Sequence, residues 1–534
     1  MAEICDLIVI GGGSAGCAMA ARLADAGLRV ELLEAGKNDA DLRLRVPALT
    51  MAVVHNPDYD WRFPAEPDPS VGGRADKWPA GKRLGGGSAI NGMIYVRGHA
   101  WDYDRWAELG ARGWSAADVM PYFRRIETNS RGGSSARGDT GPISVSDNRV
   151  HYPIVDAFID AAVSFGIPRN PDHNGAQSGE GADYSQATQR DGLRWSSAQG
   201  YLHHGPHRPG LNVRTETTVR RILFEGARAV GVEYQSRGDA QVRTLHAKRG
   251  VVLCAGSLNS PRLLMVSGVG PADQLRSLGI PVVADLPGVG TNLQEHVGTH
   301  ITARVNTPTI NSETRGLPAL RELAKFVFRR RGAITSSMCH AQSFVKTSDR
   351  EPVPDLQISF TAFAFDINNV GRAVLHKEPA ISLTICVARP GSRGRLTLRS
   401  NDPLAPPLIR HELLGGTGDL ERLARGIELG RDLLAQPAMA PHIREEMRPG
   451  RAITGEALRS YARAAAIPLY HPVGTCRMGQ DDLAVVDPNL SVRGVSHLWV
   501  ADASIMPTLP VGNTNATAIM IGDKGADHVL GGLR

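Results

Sequence analysis

A glycine turn between two apolar runs constrains this chain more than any other feature. Leu7-Ile8-Val9-Ile10 is apolar and largely β-branched, and it runs into Gly11-Gly12-Gly13-Ser14-Ala15-Gly16. A small, amphipathic stretch from Ala18 to Ala26 follows and ends at Gly27, after which Arg29-Val30-Glu31-Leu32-Leu33-Glu34 reads as a second strand. Strand, glycine turn, helix, strand is the first half of a dinucleotide-binding fold. In the pattern Gly-x-Gly-x-x-Gly, Gly11 lets the chain turn and Gly13 lets backbone amides approach a pyrophosphate. Gly16 lets the helix pack on the sheet. The helix start at Ser14 and Ala15 adds N–H groups and the positive end of the dipole. Glu34, with Ala35 beside it, closes the second strand, where a carboxylate can accept both hydroxyls of an adenosine ribose. The same charge repels the 2′-phosphate of NADP. The loop by itself suits FAD and NAD equally.

A chain of 534 residues exceeds one ordinary core, which predicts two domains with interleaved segments. At 42% apolar and 21% charged residues the composition is globular. The formal net charge of +6 raises nucleic acid as a partner, but 60 basic and 54 acidic residues are mixed along the chain. The dense basic cluster Arg329-Arg330-Arg331 lacks interleaved aromatics and reads as a solvated face, so no nucleic-acid partner is expected. Six cysteines are scattered without a Cys-x-x-Cys pair, which argues against zinc and disulfides and for a reducing, cytoplasmic setting. Ala18-Met19-Ala20 imitates a signal-peptidase site, yet the leading charges are Glu3 and Asp6 and the phosphate loop occupies the middle, so a signal peptide is rejected. No apolar run reaches the length of a spanning helix.

Further along, residues 61–114 are rich in Gly, Pro and Trp and read as extended loops with short helices. Three segments between 211 and 253 alternate like antiparallel strands: Leu211-Asn212-Val213, Val230 to Tyr234, and Gly250 to Leu253. Residues 354–398 are β-rich, with the alternating runs Gln357-Ile358-Ser359-Phe360 and Ser382-Leu383-Thr384-Ile385. Helical periodicity returns from Leu420 to Leu434, and the tail reads strand, loop, helix, the helix covering Asn515 to Leu530. His203, His204 and His207 invite a metal site, but they fall in a Gly/Pro loop without a neighbouring acid, and no metal is assigned.

Four further stretches carry a family signature. They are GKRLGGGSAINGMIYVRGHAWDYDRW (81–106), GSLNSPRLLMVSGVG (256–270), YHPVGTCRMG (470–479) and VADASIMPTLPVGNTNATAIMIGDK (500–524). With the N-terminal loop, and in this order, they resemble the glucose–methanol–choline (GMC) oxidoreductases. The branch is the bacterial one of choline, aliphatic alcohol and sorbose dehydrogenases and hydroxymethylfurfural oxidase. The resemblance covers essentially the whole chain. It implies a mixed α/β fold: a Rossmann-like FAD domain assembled from residues 1–155, 206–300 and 465–534, and a substrate domain from 156–205 and 301–464 built on an antiparallel sheet.

The resemblance also implies residue roles. Gly86 and Ser88 belong to a loop with little side-chain bulk, so backbone can lie against pyrophosphate and flavin, and Asn91, Gly92 and Met93 follow along the isoalloxazine. Some relatives carry a flavin-linking histidine just before that asparagine; here the residue is Ile90, so FAD is expected to be non-covalent. Val219 matches a position whose backbone meets adenine, Ala255 lies near the FAD, and Asp502 and Ala503 match the segment at the ribityl chain and pyrophosphate. A buried capping role for Asp502 stays open beside that one. His471 matches the base that takes the hydroxyl proton while flavin N5 takes hydride, a role that a neutral imidazole suits. Asn513, with Thr514 next to it, matches the second member of the pair, whose amide steadies the developing alkoxide. Asn515 reads as a helix-start residue.

The function implied is oxidation of an alcohol, with oxygen or a quinone-type respiratory carrier as acceptor, and peripheral membrane attachment in the latter case. Two alternatives share the fold: a non-redox hydroxynitrile lyase and a flavin-binding protein without catalysis. His340 stands near the place where choline-specific relatives carry Glu, which makes choline a poorer fit than an uncharged primary alcohol.

Overall fold

The computed structural model describes residues 4–175, 179–367 and 373–533. Two seven-stranded sheets organise them. The first is the dinucleotide-binding sheet. Its strand Ile4–Ile10 runs parallel to Val30–Leu33 on one side and to Arg243–Leu253 on the other, with Ile8 opposite Glu31 and Val251. Leu498–Val500 adds a further parallel strand on Arg243–Leu253, so residues far apart in the chain complete one surface.

The expected antiparallel strands between 211 and 253 divide into two kinds. Thr217–Glu225, Arg228–Ser236 and the start of Arg243–Leu253, up to His246, form an antiparallel meander, whereas the expected antiparallel segment Gly250 to Leu253 pairs parallel with Leu7–Ile10 and, from Val251, with Leu498–Val500. Leu211–Arg214 likewise pairs parallel with Val30–Leu33 and forms the sheet edge. Alternation reports that one face of a strand is buried; it carries no information on the direction of the partner.

The helix Ser14–Asp25 packs against the last helix, Asn515–Gly532, and the approach is too close for side chains: a Cβ on Gly522 would stand 2.2 Å from the carbonyl oxygen of Ala15. Ser14 Oγ also donates to Asn515 Oδ1 at 2.7 Å. The sequence reading does not include the helices Ala116–Ile126, Pro153–Phe165, Gly316–Arg329 and Gly455–Ala465, nor the short Ala272–Ser277. Pro121 interrupts the signal of the first, although Ser115 and Asp118 form a capping box at its start.

The second sheet is antiparallel, in the order Ile443–Arg448, Val297–Val305, Ala380–Val387, Leu356–Thr361, Ala341–Val345, Gly181–Tyr184, with Ile467–Pro468 also on Val297–Val305. Its strands start at Val297 and end at Pro468 apart from the 181–184 edge, a few residues outside the expected divisions at 300 and 464. Leu356, Ile358, Phe360, Leu383 and Ile385 are fully buried. Helix Asp419–Leu434 covers part of this face, and Gly426 lets it approach Ile385. The alternate residues Gln357, Ser359, Thr384 and Cys386 face a cavity on the other side.

Candidate active site

One cavity of about 580 Å³ is lined from both sheets. Its first wall is the glycine loop. Gly11 adopts φ +99°, and its N–H donates to Leu33 O at 2.8 Å, which closes the turn onto the second strand. A Cβ on Gly16 would stand 1.8 Å from Gly11 O, so Gly16 serves the packing of helix on strand and does not itself line the cavity. Gly13, Ser14 and Ala15 do line it. No side chain caps this helix, which leaves its first N–H groups to a ligand.

The second glycine loop closes on the first. Gly86 adopts φ +52°, and a Cβ there would stand 2.6 Å from Gly13 Cα. Ser88, expected at the cofactor, sits behind this loop: its hydroxyl donates to Gly85 O at 2.6 Å and accepts from Ser197 N–H at 3.0 Å. It does not line the cavity, so its part is to brace the turn.

Glu34 and Ala35 line the far end of the cavity, next to Thr218 and Val219. Glu34 Oε2 accepts from Gly12 N–H at 2.9 Å and Oε1 from Gly36 N–H at 2.7 Å. Burial outweighs these bonds and pushes the carboxyl up to about 7. Each oxygen keeps a lone pair for a further donor. Asp502 both caps and lines the cavity: it accepts from Gly256 N–H at 2.8 Å and Ser504 N–H at 2.8 Å, and burial raises its carboxyl. Ala255 and Ala503 flank it on the cavity wall. Uncapped amides, a carboxylate with spare acceptors and a cradle that a Cβ would fill together fit a dinucleotide.

Asn91, Gly92 and Met93 line the middle of the cavity, with Ile90 beside them. Met93 is held at φ +66°, and its N–H donates to Asn91 Oδ1 at 3.0 Å. The same oxygen accepts from Arg194 Nη1 at 2.7 Å, while Arg194 Nη2 donates to Thr50 Oγ1 at 2.8 Å. Arg194 is fully buried and has no carboxylate partner among the described residues; burial alone lowers its guanidinium to about 9. No motif in the sequence pointed to it.

At the other end, His471, Asn513 and Thr514 come together on the cavity wall. His471 Nδ1 lies 2.9 Å from His296 Nδ1, and His296 Nε2 lies 3.0 Å from Ala388 O. A carbonyl oxygen only accepts, so Nε2 of His296 carries the proton; burial holds His296 neutral, at about 4. Nδ1 of His296 is therefore bare and accepts from Nδ1–H of His471. That fixes the tautomer of His471 with Nε2 unprotonated, where Asn513 Nδ2 donates to it at 3.0 Å. Gln357 Nε2 donates to Asn513 Oδ1 at 3.5 Å and to Gln342 Oε1 at 3.1 Å, which orients the Asn513 amide. Burial, and next the charge that His296 would carry, push His471 well below the usual histidine range.

The backbone at His471 is also fixed. Tyr470 takes φ +68°, a conformation that costs about 1–3 kcal/mol and is kept only where the surroundings impose it. Here the buried carboxylate of Glu295 accepts from His471 N–H at 2.7 and 2.9 Å. Glu295 and His296 lie 175 or more residues from His471, and no spacing rule could have joined them.

Two sequence readings need correction. His203 was judged to lack an acidic partner, but it ends a helical turn (Ala198–His203), and its Nε2 meets Asp39 Oδ1 at 2.7 Å, which raises its pKa. His340 does not line the cavity: it is buried in the wall, with Nε2 3.1 Å from Ser336 Oγ and Nδ1 accepting from Ala362 N–H at 3.2 Å. The carboxylates that line the cavity are Glu34 and Asp502, both on the dinucleotide side.

A dinucleotide cradle that opens onto an unprotonated imidazole and an oriented amide is the arrangement of a flavin-dependent oxidoreductase. Family models described as GMC oxidoreductase match residues 5–298 and 390–522. The chain is 40% identical to mitochondrial choline dehydrogenase of Homo sapiens over 98% of its own length and 89% of that protein. It is 39% identical to "Alcohol dehydrogenase [acceptor]" of Pseudomonas putida, over 98% and 95%. The crystal structure of pyridoxine 4-oxidase from Mesorbium loti superposes with a TM-score of 0.87 at 30% identity, covering 98% of each chain. The chain belongs to the GMC oxidoreductase family. It is an FAD-dependent enzyme that oxidises the CH–OH group of an alcohol.

Proposed function

We propose that the substrate is an uncharged primary alcohol and that His471 takes its hydroxyl proton at Nε2. The observation that carries this reading is the chain Ala388 O, His296, His471, which leaves Nε2 of His471 unprotonated on the cavity wall, where it accepts from Asn513 Nδ2 and from a substrate hydroxyl that displaces that amide. Bound FAD supplies the acceptor for the hydride. Asn513 donates toward the same point and stabilises negative charge on the substrate oxygen as the proton leaves. The fixed backbone at Tyr470 and the Asn513–Gln357 bond hold both groups ready before substrate arrives. Gly13, Ser14 and Ala15 would hold the pyrophosphate, Glu34 the ribose and Val219 the adenine, and Asn91, Gly92 and Met93 would receive the flavin.

Around His471 the cavity is lined by Met338, Phe365, Ile467, Leu469 and Tyr470, with the uncharged polar groups of Gln357, Ser359, Thr384 and His300 among them. That surface suits an apolar or weakly polar alcohol. A quaternary ammonium needs a carboxylate or an aromatic cage; among the described residues no carboxylate lines this part of the cavity, and Glu295 is turned to the backbone of His471.

The test is anaerobic mixing of the FAD-loaded enzyme with a panel of aliphatic and aromatic alcohols and choline, followed by flavin absorbance. Bleaching by uncharged alcohols is expected, and a lyase would leave the flavin oxidised. Fastest bleaching by choline would overturn the substrate class while leaving the base assignment standing. Re-oxidation by oxygen or by a quinone analogue then identifies the electron acceptor.

A further inference from the structure

Helix Gly316–Arg329 carries an apolar stripe that nothing among the described residues covers. Glu322 and Phe326 face inward, whereas Leu317 is 80% exposed and Phe328 84% exposed, with Leu320, Leu323 and Val327 exposed between them. At 3.6 residues per turn these five fall on one side of the helix, opposite the buried pair. Arg321, Lys325 and Arg329 line the edge of the stripe, and Arg330 and Arg331 follow at its end. Glu322 is the helix's acidic residue, and it is buried against Lys325 and the N–H of Ala333. Arg321, Arg329 and Arg331 have no carboxylate partner among the described residues. The exposed surface of this helix is thus apolar and cationic, with no negative charge.

The patch adjoins the entrance of the cavity. The turn Ala333–Thr335 after the helix packs on the turn Pro47–Leu49, and Thr50 and Met51, which follow that turn, line the cavity. Leu42, Leu49 and Met51 are themselves exposed, and Arg43 and Arg45 stand between them in the chain. On the other side Arg315 donates to Leu375 O of the strand Ala373–Leu375, which pairs antiparallel with Phe365–Ile367, and Phe365 also lines the cavity.

We propose that this face docks on the surface of an anionic phospholipid bilayer, with the apolar stripe in the acyl boundary and the arginines at the headgroup phosphates. An apolar face flanked by cations is the pattern that lies in a bilayer interface, where apolar burial and attraction to anionic lipid add. A second copy of the chain is a poorer occupant, because a two-fold contact of this face on itself would set arginine against arginine. The helix is far too polar to span: none among the described residues is long and apolar enough to cross a membrane. The inference rests on surface chemistry and stands apart from the reading of the active site.

The test uses the full-length, FAD-loaded protein and sedimentation with vesicles of phosphatidylcholine alone or mixed with phosphatidylglycerol. Binding to the anionic vesicles is expected, at least tenfold weaker on neutral vesicles and weakened by high salt. L317E/F328E and, separately, R321Q/R329Q should each lower it at least tenfold. Flavin content and turnover with a water-soluble acceptor should stay unchanged in both variants, since these side chains are remote from the reacting groups. Absence of wild-type binding, or binding by either variant as tight as that of the wild type, would overturn the proposal. So would a wild-type dimer in solution that either variant dissociates, because the face would then belong to a second copy.

Discussion

The two ends of the cavity are built in different ways. At the dinucleotide end the contacts are made by backbone: uncapped amides at the start of helix Ser14–Asp25, and Gly13 against Gly86 with no room for a Cβ. At the substrate end they are made by side chains on a rigid frame, His471 and Asn513 held by His296, Glu295 and Gln357. A backbone site needs glycine at fixed spacing and so leaves a mark in one local stretch of sequence. A side-chain site needs only that the fold bring suitable groups together, which local sequence does not record. The comparison teaches that affinity for the cofactor and the rate of chemistry should be separable by mutation.

The largest effect is expected from His471→Ala. Its anaerobic flavin reduction should fall by about 10²- to 10⁴-fold, the usual contribution of a positioned base, while FAD content stays full. A well-folded, FAD-loaded variant that reduces at the wild-type rate would remove His471 from the mechanism. Because His471 is pushed well below its ordinary value, wild-type reduction should be flat from neutral to mildly alkaline pH. It should fall only in acid, where the imidazole becomes protonated and no longer accepts.

His296→Ala sharpens the point, since His296 is a positioning residue that touches no substrate. Reduction should slow by about tenfold or more through loss of the tautomer, about the worth of one hydrogen bond. The acid limb of the pH profile should also move toward neutrality, because the positive charge of a protonated His296 no longer opposes protonation of His471. A slower enzyme with an unmoved acid limb would mean that His296 only supports packing. Asn513→Ala should slow reduction by a similar or smaller factor and leave the acid limb in place.

Glu34→Ala should do the opposite of His471→Ala. FAD should bind about 10- to 100-fold more weakly, as expected for a lost charged hydrogen bond, and reduction should recover at saturating FAD. With its carboxyl at about 7, Glu34 gains a proton as pH falls through that value, so FAD affinity of the wild type should decline below neutrality. Unchanged FAD retention in the variant would place the ribose contact elsewhere. The smallest effect concerns Ile90, a side chain without a nucleophile where some relatives carry a linking histidine: acid precipitation should release all the flavin as FAD into the supernatant.

The same division explains what was legible in the sequence. The glycine loop, the strands on either side of it, Glu34 and the motif residues of the family resemblance are all local, and the structure brings the expected site residues, Gly16 and Ser88 excepted, to one cavity. The direction of Leu211–Arg214 was not legible, because alternation is the same in parallel and antiparallel edges. Ser88 was assigned to the cofactor because it lies within the loop, yet its hydroxyl points back to Gly85 and Ser197. Arg194, Glu295 and His296 left no signal, since a buried charge or a histidine pair is recognised by its surroundings and those come from distant segments. Arg329-Arg330-Arg331 reads as a solvated face in the sequence; the leucines and phenylalanine before it are visible there, but their exposure among the described residues is not.

The contact between helices Ser14–Asp25 and Asn515–Gly532 has a consequence for the making of the protein. The hydroxyl of Ser14 waits for a partner 501 residues later in the chain. At ribosomal rates of about 5–20 residues per second, that interval is about 25–100 seconds. Throughout it the phosphate loop is already synthesised but lacks the helix that backs it and the strand Leu498–Val500 that completes its sheet. The nascent chain therefore lacks its finished cofactor cradle until helix Asn515–Gly532 has left the exit tunnel, and capture of the flavin in that cradle follows this event.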